Sequence, residues 1–198
     1  ITKSRSAVVR NILSLHDFTV RKTTIVDALA SDGSASDYTP VAIDANGKTI
    51  LLKSPGSSAD QFGGIRVYGK KNNLVKEIPF GYRNSNEEDF SVTGIYAPPS
   101  EDGTISNVAI TTYSKDAKRT TMITGVNVTT GDASEFKLAE GLTKSFSFSN
   151  AFCLNEVTYL SSPGGYYGSG SAFNADGMYV AIHGSVIWKN SKSPGGLP

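Results

Sequence analysis

The sequence predicts an all-β chain, an antiparallel β-sandwich with at most one or two short helices, and three observations carry that expectation. Thr, Ser, Gly, Val, Ile, Tyr and Phe are prominent throughout its 198 residues. Turn formers recur about every ten residues, the spacing of sandwiches and barrels rather than of βαβ units. Candidate strands follow one another with no regular helical crossover between them. A chain of this length fits one such domain and can bury a core without staples.

The opening segment carries the one electrostatic asymmetry. Net charge is +1, yet Lys3, Arg5, Arg10, Arg21 and Lys22 stand against only Asp17 in the first 22 residues. Such a segment can neutralise phosphates through counterion release without reading bases. The competing reading is an ordinary solvated face. The expected organisation is therefore a basic segment over 1–22, a single β-sandwich domain over 23–190 and a flexible tail over 191–198.

The clearest local signal is Val41-Ala42-Ile43-Asp44-Ala45-Asn46-Gly47-Lys48-Thr49-Ile50-Leu51-Leu52, where Asn46-Gly47 suits a type I′ turn between apolar strands. Further strands are expected over 64–68, 74–80, 90–97, 104–114, 120–128, 145–159 and 178–188. In the last, Met178, Val180, Ile182, Val186 and Trp188 share a parity and should face the core, while Tyr179, Ala181, His183 and Ile187 take the other. Over 132–144 the spacing of Phe136, Leu138, Ala139 and Leu142 approaches that of a helix, which Gly141 could end. No internal repeat is visible. Ser161 to Ser171 reads as a flexible Gly/Ser-rich loop carrying Tyr166 and Tyr167.

Chemistry is sparse. Cys153 is the single cysteine, so no intramolecular disulfide forms, and with only His16 and His183 the usual Cys/His zinc cages are out of reach. Cys153, between Phe152 and Leu154, reads as a small buried hydrophobe. His183 is the better of two candidate bases, but no Gly-x-Ser-x-Gly elbow accompanies it, and the chain reads as a non-enzyme. Glu87, Glu88 and Asp89, and Glu101 with Asp102, are paired acids that could hold a hard cation, although charged turns are also how loops stay soluble. The glycines near 164–170 lack the Gly-Lys-Ser/Thr and the strand-to-helix setting that phosphate binding needs. Asn127-Val128-Thr129 meets the glycosylation pattern inside an expected strand and is taken as chance. No apolar run is long enough to span a bilayer, and Ile1 to Arg5 lack the apolar core of a signal peptide, which predicts a soluble protein. The absence of an initiator Met points to a leading segment that was processed or is not included.

Phe90-Ser91-Val92-Thr93-Gly94-Ile95-Tyr96-Ala97-Pro98-Pro99, then Asp102-Gly103-Thr104 and Val108 to Asp116, resemble a hairpin in the shell domains of small icosahedral positive-strand RNA virus coats, such as those of tombusviruses. Glu156-Val157-Thr158-Tyr159, the Gly/Ser-rich loop and the 178–188 strand are similar to the last two strands of that jelly roll. The resemblance implies a jelly-roll fold and a coat subunit in the virion, assembled in many copies in the host cytoplasm, with RNA held non-specifically by Lys3, Arg5, Arg10, Arg21 and Lys22. It implies no cofactor beyond calcium between subunits, for which the family's clustered aspartates are reduced here to Asp116. The alternative is a receptor- or glycan-binding β-sandwich of phage-tail or adhesin type, contacting its ligand through Tyr166, Tyr167 and Tyr68.

Overall fold

The computed structural model describes residues 8–14, 16, 17, 19–27, 38–53, 63–80, 90–114, 120–139, 147–162, 178–183 and 186–190. Among them every regular element is a strand. They are β1 (Val8–Leu13), β2 (Val20–Asp27), β3 (Tyr38–Ile43), β4 (Thr49–Lys53), β5 (Gly63–Tyr68), β6 (Leu74–Phe80), β7 (Phe90–Tyr96), β8 (Asn107–Ser114), β9 (Thr121–Asn127), β10 (Ala133–Ala139), β11 (Asn150–Leu154), β12 (Val157–Ser162), β13 (Met178–His183) and β14 (Val186–Asn190). Strands adjacent in a sheet are adjacent in sequence and antiparallel. They make a β1–β2 hairpin and three four-stranded sheets, β3 to β6, β7 to β10 and β11 to β14.

The all-β, antiparallel, face-packed expectation is met. The order of strands is more specific than that expectation. Each sheet is an up-and-down meander, whereas a jelly roll joins its strands by Greek-key connections, and none joins the described strands. The repeat that the sequence hides is thus one of topology, a four-stranded meander used three times.

The meanders stack because the middle sheet, β7 to β10, is apolar on both faces. All eight residues of β8 are buried. Its even-numbered Val108 and Ile110, with Val126 of β9, pack on Ile50, Leu52, Ile65, Val67 and Ile78 of the first sheet. On the other face, Ala109, Tyr113, Ile123 and Leu138 meet Phe148, Leu160, Val180 and Ile182 on the side of the third sheet. Gly125 permits the close approach there, since a Cβ at that position would lie 3.0 Å from Ile182 Cγ2. Tyr96 ties the two sheets: its hydroxyl accepts from Phe148 N at 2.6 Å, and the rings meet edge-on at 5.7 Å. Gly94 leaves the space into which the Tyr96 hydroxyl leans.

Several expectations are corrected. Residues 133–139 form β10 rather than a helix: they pair antiparallel with β9, Phe136 across from Ile123, and along the strand Leu138 is buried while Glu135, Phe136 and Lys137 are exposed. The single strand expected over 145–159 is a hairpin, β11 and β12, turning at Asn155-Glu156. The strand expected over 178–188 is another, with only Gly184 and Ser185 between the paired residues His183 and Val186. That reversal changes the parity. Val180 and Ile182 are in the core and Ile187 packs against it, whereas Val186 and Trp188 are 50% and 39% exposed. The Asp44–Gly47 turn has positive φ at Gly47 but not at Asn46, so it is a type I turn closed by a left-handed glycine rather than type I′. The boundary expected after residue 22 falls inside β2.

Two substitutions test the stack. Ile110→Ala, at a fully buried site, is expected to lower unfolding free energy by about 2–5 kcal/mol. Gly125→Val should cost about 1–3 kcal/mol by overpacking, and urea denaturation of both measures the two interfaces separately.

Candidate functional site

One end of the stack gathers the tight turns. Asp44–Lys48, Gly69–Asn73 and Ser100–Thr104 share a pattern. The first residue donates its N–H to the fifth carbonyl, and the fourth donates back to the first, at 2.8–3.0 Å. Position four has φ of 75° at Gly47, 61° at Asn72 and 77° at Gly103. The Asn127–Asp132 turn is one residue longer and uses Gly131. These turns touch across sheets: Ala45 N donates to the Gly103 carbonyl at 2.9 Å, and the Lys76 ammonium donates to the Thr130 carbonyl.

Between the middle and third sheets, this end opens into a cleft of about 370 Å³ lined by Ser106, Asn107, Asn127, Thr129, Thr130, Glu156 and His183. A smaller recess of about 240 Å³ adjoins it, shares Ser106 and Glu156, and adds Ser100, Glu101, Asp102, Thr104 and Asn155. Asn107 is 3% exposed. Its Nδ2 donates to the Glu156 carbonyl at 2.9 Å, while its Oδ1 has no hydrogen-bond partner. His183 Nε2 lies 3.8 Å from Glu156 Oε2, both side chains being well exposed.

Asp102 is held by its own turn. The Ser100 hydroxyl donates to it at 2.6 Å, followed by the Thr104 hydroxyl at 2.6 Å and the Thr104 N–H at 2.9 Å. These bonds lower its carboxyl from 3.8 to about 2, favouring the charged form. They also fix the carboxylate within its own loop.

The second notable surface is the outer face of the third sheet. Phe152, Tyr159, Ala181 and Trp188 lie directly across from one another on its four strands. Phe152 and Tyr159 stack at 5.1 Å. Phe152, Leu154, Val186 and Trp188 are 54%, 43%, 50% and 39% exposed, while Ala181 is 3% exposed at the floor between Tyr159 and Trp188.

The residues singled out in the sequence are scattered by the fold. His183 and Glu156 come together, although only His183 was expected to matter. Tyr68 is 7% exposed, in a cluster with Tyr38 and Leu51. Cys153 is partly buried, and burial pushes its thiol up, away from the reactive thiolate. Arg10, Arg21 and Lys22 belong to the β1–β2 hairpin, with Arg10 opposite Thr24 and Lys22 opposite Ile12. Lys3, Arg5, Glu87, Glu88, Asp89, Asp116, Tyr166 and Tyr167 lie outside the described residues. Among the described residues no three His, Cys, Asp or Glu side chains are gathered as metal ligands.

No family model matches the chain, and no curated protein or solved structure is significantly similar to it. The functional reading therefore rests on these two surfaces.

The depressed Asp102 value has a defined consequence for acid stability. Its contribution is present above the ordinary 3.8 and is lost as pH falls through about 2. Thermal midpoints followed across that window should fall more for the parent chain than for Asp102→Asn.

Proposed function

We propose that this chain is a non-catalytic assembly module that pairs with a second copy of itself through the outer face of its third sheet. The observation that supports this is the open row Phe152, Tyr159, Ala181 and Trp188. Of the nine exposed large hydrophobics among the described residues, four lie on this face. Contiguous apolar surface of this kind marks an interaction site, whereas single exposed apolar residues need no explanation.

The occupant follows from continuity and shape. Both faces of the middle sheet are covered by neighbouring sheets, so a further sheet extends a packing already used twice in this fold. The row itself reads large, large, small, large. A two-fold axis would bring the Trp188 ridge of one copy over the Ala181 floor of the other, as a self-complementary interface requires. Tyr and Trp suit such a contact because they bury large area with few rotatable bonds.

This reading keeps the self-assembly of the coat-subunit expectation and leaves out its Greek-key shell geometry. The genome-contacting role of Lys3, Arg5, Arg10, Arg21 and Lys22 is a separate, narrower claim. Light scattering on purified protein should give twice the 21.0 kDa chain mass, and a Phe152→Ser/Trp188→Ser double variant should give the monomer with an unchanged circular dichroism spectrum. A monomeric parent chain, or a dimer indifferent to both substitutions, would contradict the proposal. Large particles with a nucleic-acid absorbance ratio would replace it with the coat reading.

A further inference from the structure

We infer that the turn-end cleft between the middle and third sheets binds a carbohydrate, neutral or bearing an amino group. This goes beyond the assembly proposal, because none of the cleft residues belongs to the aromatic row on the outer face.

Three observations at the cleft converge. Asn107 is 3% exposed and its Oδ1 lacks a donor, a condition that buried amide oxygens rarely keep. A hydroxyl delivered into the cleft would satisfy it. Asn127 has its Oδ1 committed to the N–H groups of Thr129 and Thr130 at 2.9 and 3.0 Å, which leaves its Nδ2 to donate. Ser106 and Thr129 add hydroxyls that donate and accept. A lining with both capacities matches sugar hydroxyls, which also do both. The volume of about 370 Å³ is within the range of small-ligand sites.

The third observation concerns the backbone. Asn155 and Glu156 both have positive φ, 48° and 64°, the geometry of a type I′ hairpin turn, which favours Asn-Gly. Glu occupies the position where Gly would be least strained. Conformational cost borne by a side chain at a cleft mouth is a pointer to a role for that side chain. Its carboxylate stands 3.8 Å from His183 Nε2, and it can accept from a sugar hydroxyl or an amino group. The charge also sets the ligand class. Glu156, with Glu101 and Asp102 in the adjoining recess, disfavours phosphorylated, sulfated and sialylated ligands.

Glu156→Gly separates binding from folding. The Asn107 bond to residue 156 uses the backbone carbonyl, so the clamp between sheets survives, and glycine relieves the positive φ. The thermal midpoint should hold or rise while binding falls. Asn127→Asp keeps the acceptor that caps the turn and removes the Nδ2 donor.

The test is the intact chain on a glycan array carrying neutral, amino-sugar and sialylated structures, with hits followed by calorimetry. Hits should be confined to neutral and amino-sugar glycans, and each variant should lose affinity on the order of tenfold or more, the weight of one charge-assisted or buried hydrogen bond. A blank array would overturn the inference and leave water as the partner of Asn107. Hits confined to sialylated glycans, or binding unchanged in both variants, would overturn it as well.

Discussion

Burial of β8 and β9 on both faces is the constraint from which the rest of the architecture follows. A strand covered on one side alternates apolar and polar residues, but β8 is Asn-Val-Ala-Ile-Thr-Thr-Tyr-Ser with every residue buried. Val108 and Ile110 serve one neighbouring sheet and Ala109 and Tyr113 the other. Each fully buried Ile or Val contributes about 1.5–3 kcal/mol relative to exposure. The two clusters therefore make the middle sheet the shared core of the first and third. Among the described residues neither flanking sheet has an equivalent pair of partners: the first has β1 near β3, and the third exposes Phe152, Leu154, Val186 and Trp188 on its outer face.

Stacking meanders in register has a chemical consequence at the ends. Because each sheet turns from its first to its second strand and from its third to its fourth at the same edge, the short turns of all three collect there. Those turns need polar side chains to satisfy backbone N–H groups that no ladder reaches. Asp44 accepts from Asn46 and Lys48, Asp102 from Thr104, and Asn127 from Thr129 and Thr130. Polar groups concentrated for structural reasons thus frame a cleft. Asn107 adds a buried oxygen with no hydrogen-bond partner, as Asp44 Oδ2 also is in the first turn, and Glu156 adds a positive φ at a residue that is neither Gly nor Asn.

Much of the strand pattern was legible in the sequence. The 74–80 strand and the Asn46-Gly47 hairpin followed from β-rich composition and turn residues, and 64–68, 90–97 and 120–128 came within a residue or so of β5, β7 and β9. Two of the failures are tight reversals read as continuous strand. Asn155-Glu156 lacks the glycine that announces a type I′ turn, and Gly184-Ser185 was absorbed into one strand. The second omission inverted the faces of Val186 and Trp188, turning an exposed aromatic into an expected core residue. Phe136 and Leu138 misled differently, because two apolar residues at spacing two become helical only when Ala139 and Leu142 are counted with them. The cleft was not legible, since it joins residues from four turns that only the stacking brings together. His183, as a candidate base, and Asn127 with Thr129, as a glycosylation pattern taken as chance, were its members noticed beforehand.

The account makes the protein a layered scaffold whose inner sheet supplies stability and whose third sheet supplies contacts. Native-state hydrogen exchange tests that division most directly. The slowest amides should lie in β8 and β9, with those of β11 and β14, the edge strands of the third sheet, exchanging orders of magnitude faster. Protection in β8 no greater than in β11 would contradict the claim that the doubly covered middle sheet holds the structure together.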